Sequence, residues 1–301
     1  MLEYSLEQMN REIEEDVQAL VLHAEQEYTE QIMLVANHIS DVSQERPFIL
    51  LSGPSGSGKT TTALRIEAML DAWQYETHTV SLDNYFLPKE SPGLPMDEDG
   101  KPDYESPYRL DIQLLSQHLE MLFEAKPVEV PRFDFATQSR LPGETLQRKE
   151  GEMVLIEGIH TLNPAVVGSA LPYATGIFVN VETLLFDWGM TLPPERLRLV
   201  RRLVRDRLFR GCDLQNTLDR FDSVTRGEQK HIFPYREVAA YSVNTFLAYE
   251  LGVYSRVLSD SCDGLPEDLA EFISRAAQID AELSPGDSIV REVTGSSIFQ
   301  Y

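Results

Sequence analysis

The segment Gly53-Pro-Ser-Gly-Ser-Gly-Lys-Thr60 has the spacing Gly-x-x-x-x-Gly-Lys-Thr, which suits the gripping of a polyanion. Gly53, Gly56 and Gly58 let the backbone turn inward until successive amides converge on one anion, so Ser55, Ser57 and Thr61 join the glycines as candidate contacts. Lys59 then reaches the terminal phosphates of a nucleoside triphosphate, and the Thr60 hydroxyl is placed to ligate the accompanying magnesium ion. The context agrees. The apolar run Phe48-Ile-Leu-Leu51 before the loop reads as a buried strand, and Thr60-Thr-Thr-Ala-Leu-Arg-Ile-Glu-Ala-Met-Leu70 as a helix whose positive end faces the anion.

Two carboxylates fall where an open α/β sheet would bring them to that loop. Asp83, in Ser81-Leu-Asp-Asn-Tyr-Phe86, lies just past a strand-like run, and such sheets bind ligands at the carboxyl ends of their strands. There it would hold an acceptor hydroxyl in line with a γ-phosphate and take its proton late, with helix capping or a loop turn as the structural alternative. Glu157 closes the apolar run Met153-Val-Leu-Ile156 and stands where folds with this loop hold magnesium, directly or through water. The nearby His160 reads as a hydrogen-bonded loop residue.

Arg196, Arg198, Arg201, Arg202, Arg205, Arg207 and Arg210 crowd one segment of an otherwise acidic chain. With Leu197, Val200, Leu203, Val204 and Leu208 on the apolar side, Arg198, Arg202 and Arg205 share the opposite stripe. Guanidinium groups there would reach bidentately to phosphate, two or three contacting ligand, and the rest would form a solvated face paired with Glu195 and Asp206. Pro131-Arg-Phe-Asp-Phe-Ala-Thr-Gln-Ser-Arg140 adds aromatic faces suited to a flat base or sugar, or else an edge turn with a salt bridge.

Short apolar runs alternating with helical stretches position these groups, and they predict an α/β fold with a parallel five-stranded sheet wound with helices on both faces. Strands are expected at 48–52, 77–82, 128–131, 153–156 and 176–181, with a sixth near 241–243. Residues 1–45 lack strand signals and place Ile13, Val17, Leu20, Val21, Ile32, Val35 and Ile39 at helical spacing, a stripe that either folds back on the domain or mates with another subunit as a homo-oligomer. Residues 87–102 are too rich in proline, glycine and charge for helix or strand.

Composition narrows the partners. A formal charge of −23 argues against nucleic acid and anionic membranes as partners and for a cytoplasmic chain. Cys212 and Cys262 are distant in sequence and fit neither a disulfide framework nor a zinc site. The first residues lack the basic-then-apolar order of a signal peptide, and no apolar run suits a membrane span.

Taken in order, the phosphate loop, Leu82-Asp-Asn-Tyr-Phe86, Asp103-Tyr-Glu-Ser-Pro-Tyr-Arg-Leu-Asp111, Arg132-Phe-Asp-Phe135, Ile156-Glu-Gly-Ile-His160 and Arg201-Arg-Leu-Val-Arg-Asp-Arg-Leu-Phe-Arg-Gly211 resemble the uridine kinase and phosphoribulokinase family. Arg226-Gly-Glu-Gln-Lys-His-Ile-Phe-Pro-Tyr235 and the closing Gly295-Ser-Ser-Ile-Phe-Gln-Tyr301 are similar to a bacterial uridine-kinase-like branch that often carries an extra amino-terminal domain. The resemblance implies a P-loop NTPase fold: a helical extension over 1–45, a kinase domain over 46–260 with a helical lid at about 196–235, and a packing helix and tail over 261–301. It implies ATP and Mg2+, with Asp83 as catalytic carboxylate, Lys59 and Thr60 on nucleotide and metal, Glu157 as the magnesium-associated acid, and Arg202, Arg205 and Arg210 as lid arginines.

On the acceptor side the resemblance implies Asp83, Tyr85, Arg202 and Arg205. Glu105 stands at the ribose-holding position, an aspartate in typical members, and Phe133 and Gln138 stand where a tyrosine and a histidine contact the pyrimidine. Lid positions usually arginine and glutamine fall at Cys212 and Arg220. The implied activity is phosphorylation of a small nucleoside-like acceptor, uridine or cytidine to the 5′-monophosphate. Alternatives are a same-family kinase acting on a sugar phosphate or pantothenate, and a nucleotide-binding switch, for which Asp97-Glu-Asp-Gly100 offers an Asp-x-x-Gly signal without a companion Asn-Lys-x-Asp.

Overall fold

The chain begins with a short strand, β1 (Leu2–Ser5), and a long helix, α1 (Leu6–Val42), and then enters the run of alternating strands and helices. In order these are β2 (Phe48–Ser52), α2 (Lys59–Ala72), β3 (Thr77–Ser81), α3 (Ile112–Phe123), β4 (Val128–Asp134), β5 (Ser139–Leu146), β6 (Met153–Glu157), α4 (Pro164–Val167) and β7 (Ala174–Asn180). There follow β8 (Thr183–Asp187), β9 (Met190–Leu192), α5 (Pro194–Phe209), α6 (Leu214–His231), β10 (Tyr241–Asn244), α7 (Glu250–Leu258), α8 (Glu267–Arg275) and α9 (Ile289–Thr294). This computed structural model describes residues 2–209, 211 and 213–300, save the side chains at 262 and 263.

A five-stranded parallel sheet in the order β10-β7-β2-β6-β3 forms the centre. The inner strands β2, β6 and β7 are buried along their whole length, as continuous apolar runs covered by helices on both faces must be. Alternate side chains of β2 serve opposite cores. Ile49 and Leu51 pack with α1, α2, α5 and α7 to α9, whereas Phe48 and Leu50 pack toward α3 and α4. Register matters more for the site: Leu51 lies opposite Glu157, and Glu157 opposite Ser81, so the carboxyl ends of β2, β6 and β3 come level.

Two expectations fail here. The run at 128–131 is not a sheet strand; it belongs to β4, which pairs antiparallel with β5 in a separate ribbon, and β10 supplies the fifth strand. Pro131 removes a ladder donor and the register slips between Val130 and Arg132, features tolerated in a ribbon and costly in a sheet interior. The partner Ser139–Leu146 carries Pro142 and Gly143 and does not read as a strand; yet a Cβ on Gly143 would stand 1.6 Å from the Val130 carbonyl oxygen, so glycine permits the pairing. Residues 1–45 are likewise not wholly helical. β1 pairs parallel with β8, and β9 completes that small sheet antiparallel, a partnership set by chain some 180 residues away rather than by local pattern.

The extension folds back on the domain. Leu20, Val21, Ile32, Val35 and Ile39 are buried in the shared core, with Ile13 and Val17 partly so. α1 breaks at Asp16, whose extended backbone and carboxylate, accepting from Gln18 N–H at 3.1 Å and Ala19 N–H at 3.0 Å, start a second helical run. Beyond the break Tyr28 shares a 2.6 Å hydroxyl bond with Thr62 of α2, and Glu25 pairs with Arg65 at 3.1 Å. Among the described residues no helix is long and apolar enough to cross a membrane.

Candidate active site

Between β2 and α2 the glycine-rich loop takes a shape that only its sequence allows. A Cβ on Gly53 would lie 2.0 Å from the Val179 carbonyl oxygen, and Gly56 and Gly58 hold φ of 74° and 80°. Gly58 caps α2 without a side-chain acceptor, which leaves the first amides of the helix turned toward the loop. Lys59 folds over the loop, its Nζ donating to the Pro54 carbonyl at 3.1 Å, and the buried Ser57 hydroxyl has no partner. Glycines without room for a side chain, a lysine, an orphaned hydroxyl and a helix amino terminus fit a polyphosphate.

α5 lies across this loop and holds it from above. Arg198 makes paired 2.8 Å bonds to Glu228 of α6 and a 2.9 Å bond to the Ser55 carbonyl; Glu228 in turn accepts from the Ser55 N–H at 2.9 Å. Arg201 is bound to Glu250 at 2.7 and 2.9 Å, to the Gly56 carbonyl at 3.1 Å and to Thr245. These guanidinium groups are only 2% and 1% exposed, so they are structural cross-braces and not a solvated face. Burial works against the charge of Arg201, and Glu250 beside it more than offsets that, holding the group protonated well above the ordinary range.

Of the expected lid arginines, Arg202 donates to the Ser55 hydroxyl, leaves its Nε shielded and unpartnered, and has its pKa lowered by burial and by neighbouring Arg205. Arg205 reaches Asp206 at 3.4 Å, a pairing foreseen for this stripe. Arg220 is exposed on α6, and Arg210 and Cys212 lie outside the described residues. Glu228 and Glu250 carried no assignment in the sequence; their one signal was a buried-arginine helix that had to find anions somewhere.

Asp83 stands in a single turn just past β3, with its N–H on the Ser81 hydroxyl at 3.4 Å. The same hydroxyl donates to Glu157 Oε1 at 2.6 Å, so one serine ties the ends of β3 and β6 together. Burial and then the Asp83 charge push Glu157 up to about 7, while Lys59 pulls the other way. The three groups therefore share one electrostatic neighbourhood, and Glu157 with Thr60 could hold a divalent cation whose charge would restore the carboxylate. Thr61, next in α2, gives both its N–H, at 3.3 Å, and its hydroxyl to Glu292 of α9, a partner that nothing in the sequence suggested.

The residues expected on the acceptor side sit among the 87–111 stretch, β4 and the end of α6. Glu105 packs on Gly227, where a Cβ would fall 2.4 Å from its own, and its Oε2 is shielded without a partner. Burial and the Glu228 charge raise it to about 7, against Arg202 and Lys59. His160 is 2% exposed and held neutral down to about 3 by burial and by His231, whose ring lies 6.5 Å away edge-on, against the opposing pull of the Glu105 and His231 backbones. Asp97 and Asp99 anchor the intervening loop on α6, through Ser223 and Arg226 at 3.1 Å each, so the Asp-x-x-Gly turn is a contact with that helix.

Three residues expected on the acceptor side have contacts within the chain. Tyr85 is 1% exposed, and its hydroxyl is shared with His118 Nδ1 at 3.0 Å, which places that side chain in the core. Phe133 packs with Phe86 and Phe135 at ring distances of 5.7 and 5.1 Å. Gln138, at φ 52° in the ribbon turn, donates to the Tyr104 hydroxyl at 3.3 Å. Arg140 pairs with Asp111 at 3.0 Å, outside its own turn, whereas Asp134 caps its loop by accepting from the Ala136 N–H and the Thr137 hydroxyl.

A parallel sheet with a phosphate loop after its central strand and acids at the neighbouring strand ends is the architecture of P-loop phosphotransferases. The fold is shared with a possible uridine kinase from Bacillus stearothermophilus, at a TM-score of 0.50 and 14% identity over 72% of this chain and all of that one. The family model described as Phosphoribulokinase / Uridine kinase family matches residues 48–246, and the chain belongs to that family. It is 30% identical over 178 residues to the uridine kinase of Lactobacillus helveticus (strain DPC 4571), and 31% identical over 179 residues to that of Staphylococcus aureus (strain JH9). These matches span 59% and 58% of this chain and 76% of each relative. The protein is a kinase.

Proposed function

We propose that the protein transfers the γ-phosphoryl group of ATP, with Mg2+, to a hydroxyl of a nucleoside-like acceptor, uridine or cytidine giving the 5′-monophosphate. The observation that carries the reading is the common neighbourhood of Lys59, Asp83 and Glu157 at the level ends of β2, β3 and β6. Asp83 orients the acceptor hydroxyl and receives its proton as the bond to phosphorus forms. Lys59 and the loop amides hold the triphosphate, and Arg202 and Arg205 lie on the helix above it to meet charge on the transferring group. Thr60 and Glu157 would hold magnesium, which would supply neutralisation of phosphate charge. Glu105, shielded beside Arg202 and Lys59, accepts from acceptor hydroxyls.

A second reading within the family, phosphorylation of a sugar phosphate or pantothenate, is favoured by one feature. Phe133 offers the acceptor only an aromatic face, and Gln138 is turned to Tyr104, so neither presents a committed polar contact to a pyrimidine. A panel of nucleosides, sugar phosphates and pantothenate with coupled detection of ADP separates the two. Turnover of uridine or cytidine above the others supports the first reading; turnover of none removes both.

A further inference from the structure

Donors at the start of α2 that a polyphosphate requires are already engaged by the chain. In a phosphate loop the amides running from the glycines into the first helical turn cradle the α- and β-phosphates. Thr61 belongs to that turn, and both its N–H and its hydroxyl are given to Glu292 Oε2. A carboxylate oxygen thereby makes the two contacts open to a phosphate oxygen. Three residues earlier on the same short helix, Ile289 covers the loop itself: its Cδ1 lies 2.9 Å from where a Cβ on Gly58 would stand. Residues 289 and 292 share one face of α9, so one element meets the loop with an apolar contact and an anion together.

The element is held in place independently of those contacts. Ser288 caps α9 and shares a 3.0 Å bond with the Tyr249 hydroxyl, which donates to Glu25 of α1 at 2.7 Å. Asp287 lies 3.6 Å from Arg65 of α2, and the Ile298 N–H closes the segment on itself at the Gly286 carbonyl, 2.9 Å away. The result is a hook over 286–298, anchored on α1 and α7, whose acidic point rests on the phosphate-binding end of α2.

We propose that α9 is an autoinhibitory hook: Glu292 occupies the place of a nucleotide phosphate at Thr61, and a nucleoside triphosphate binds by displacing it. Two anions cannot share one N–H and one hydroxyl, and their repulsion in a partly buried site favours one occupant at a time. Apparent affinity is the intrinsic affinity scaled by the fraction of molecules with the hook lifted. A hook in place about nine-tenths of the time weakens nucleotide binding about tenfold. The proposal rests on the reading of the loop as a triphosphate site and not on which acceptor is used.

The test needs no acceptor. Titration calorimetry with a non-hydrolysable ATP analogue and Mg2+ compares the wild type with Glu292→Ala, whose folding is checked by circular dichroism. The variant is expected to bind about tenfold more tightly. Equal or weaker binding by a folded variant overturns the hook and leaves the kinase reading intact, whereas binding by neither protein overturns the triphosphate site and the hook with it. Hydrogen exchange on the wild type needs no substitution: the amides of 289–294 are expected to exchange faster with the analogue bound, because α9 has lost its bonds to Thr61. Slower or unchanged exchange there overturns the proposal.

Discussion

Replacing Glu228 by alanine tests whether the cross-brace on the phosphate loop works as its geometry requires. The change removes two 2.8 Å bonds from Arg198, leaving a guanidinium that is 2% exposed with only the Ser55 carbonyl as partner, and it strips the Ser55 N–H of its acceptor. Breaking one side of a buried ion pair costs about 3–5 kcal/mol, and a buried amide left unsatisfied about 1–3 more. Some overlap is expected, since the loop can relax, so about 4–6 kcal/mol is the working figure. Against a total stability of about 5–15 kcal/mol that is a severe loss. Urea unfolding measures it, and the Arg198→Met, Glu228→Met double variant supplies the control: replacing the whole pair by apolar side chains removes the buried-charge cost and leaves about 1–3 kcal/mol for the Ser55 N–H. If Glu228→Ala costs under about 1 kcal/mol, or if the double variant falls as far as the single one, the buried-charge argument for this loop is wrong.

Two further outcomes follow from the site. Asp83→Asn is expected to lower turnover by a factor on the order of a hundred or more while leaving ATP affinity nearly unchanged, read by steady-state kinetics beside calorimetry; unchanged turnover removes Asp83 from the chemistry. Glu105 gives a pH signature. Its folded pKa of about 7 stands above the ordinary 4.5, so the folded state keeps a proton that the unfolded chain releases, and its contribution to stability is full below 4.5 and lost as pH rises through 7. Glu105→Gln lacks that loss, so its stability relative to wild type should grow by on the order of 3 kcal/mol between pH 4.5 and pH 8 in urea titrations; a pH-independent difference contradicts the assigned environment.

How much of this could be read from sequence depends on the range of the forces involved. The phosphate loop, β2, β6 and β7 were legible because a buried strand needs a continuous apolar run and an inward-turning loop needs glycine, both local demands. The apolar stripe of α1 was legible for the same reason, since period alone marks a covered face. Which strand joins the sheet was not: β4 and β10 both mix apolar with polar residues, and their distant partners distinguish them. The crowding of arginines in α5 announced an electrostatic role without its sign or partner, because Glu228 and Glu250 lie 30 and 49 residues beyond the arginines they hold. Nor was the setting legible for Tyr85, which the resemblance implied on the acceptor side: the turn after β3 brings its hydroxyl to His118 of α3.

Sequence by itself therefore determined the polyanion loop, the carboxylates Asp83 and Glu157 at strand ends, and the α/β alternation that brings them level, since each rests on the chemistry of a few neighbouring residues. Tertiary structure alone decided that buried acids from α6 and α7 lock the arginine helix onto the loop, that Tyr85 is core, and that Glu292 reaches Thr61 across 231 residues of chain. The physical reason is that a buried charge fixes only that a partner must exist, while the packing of the whole chain chooses which residue it is.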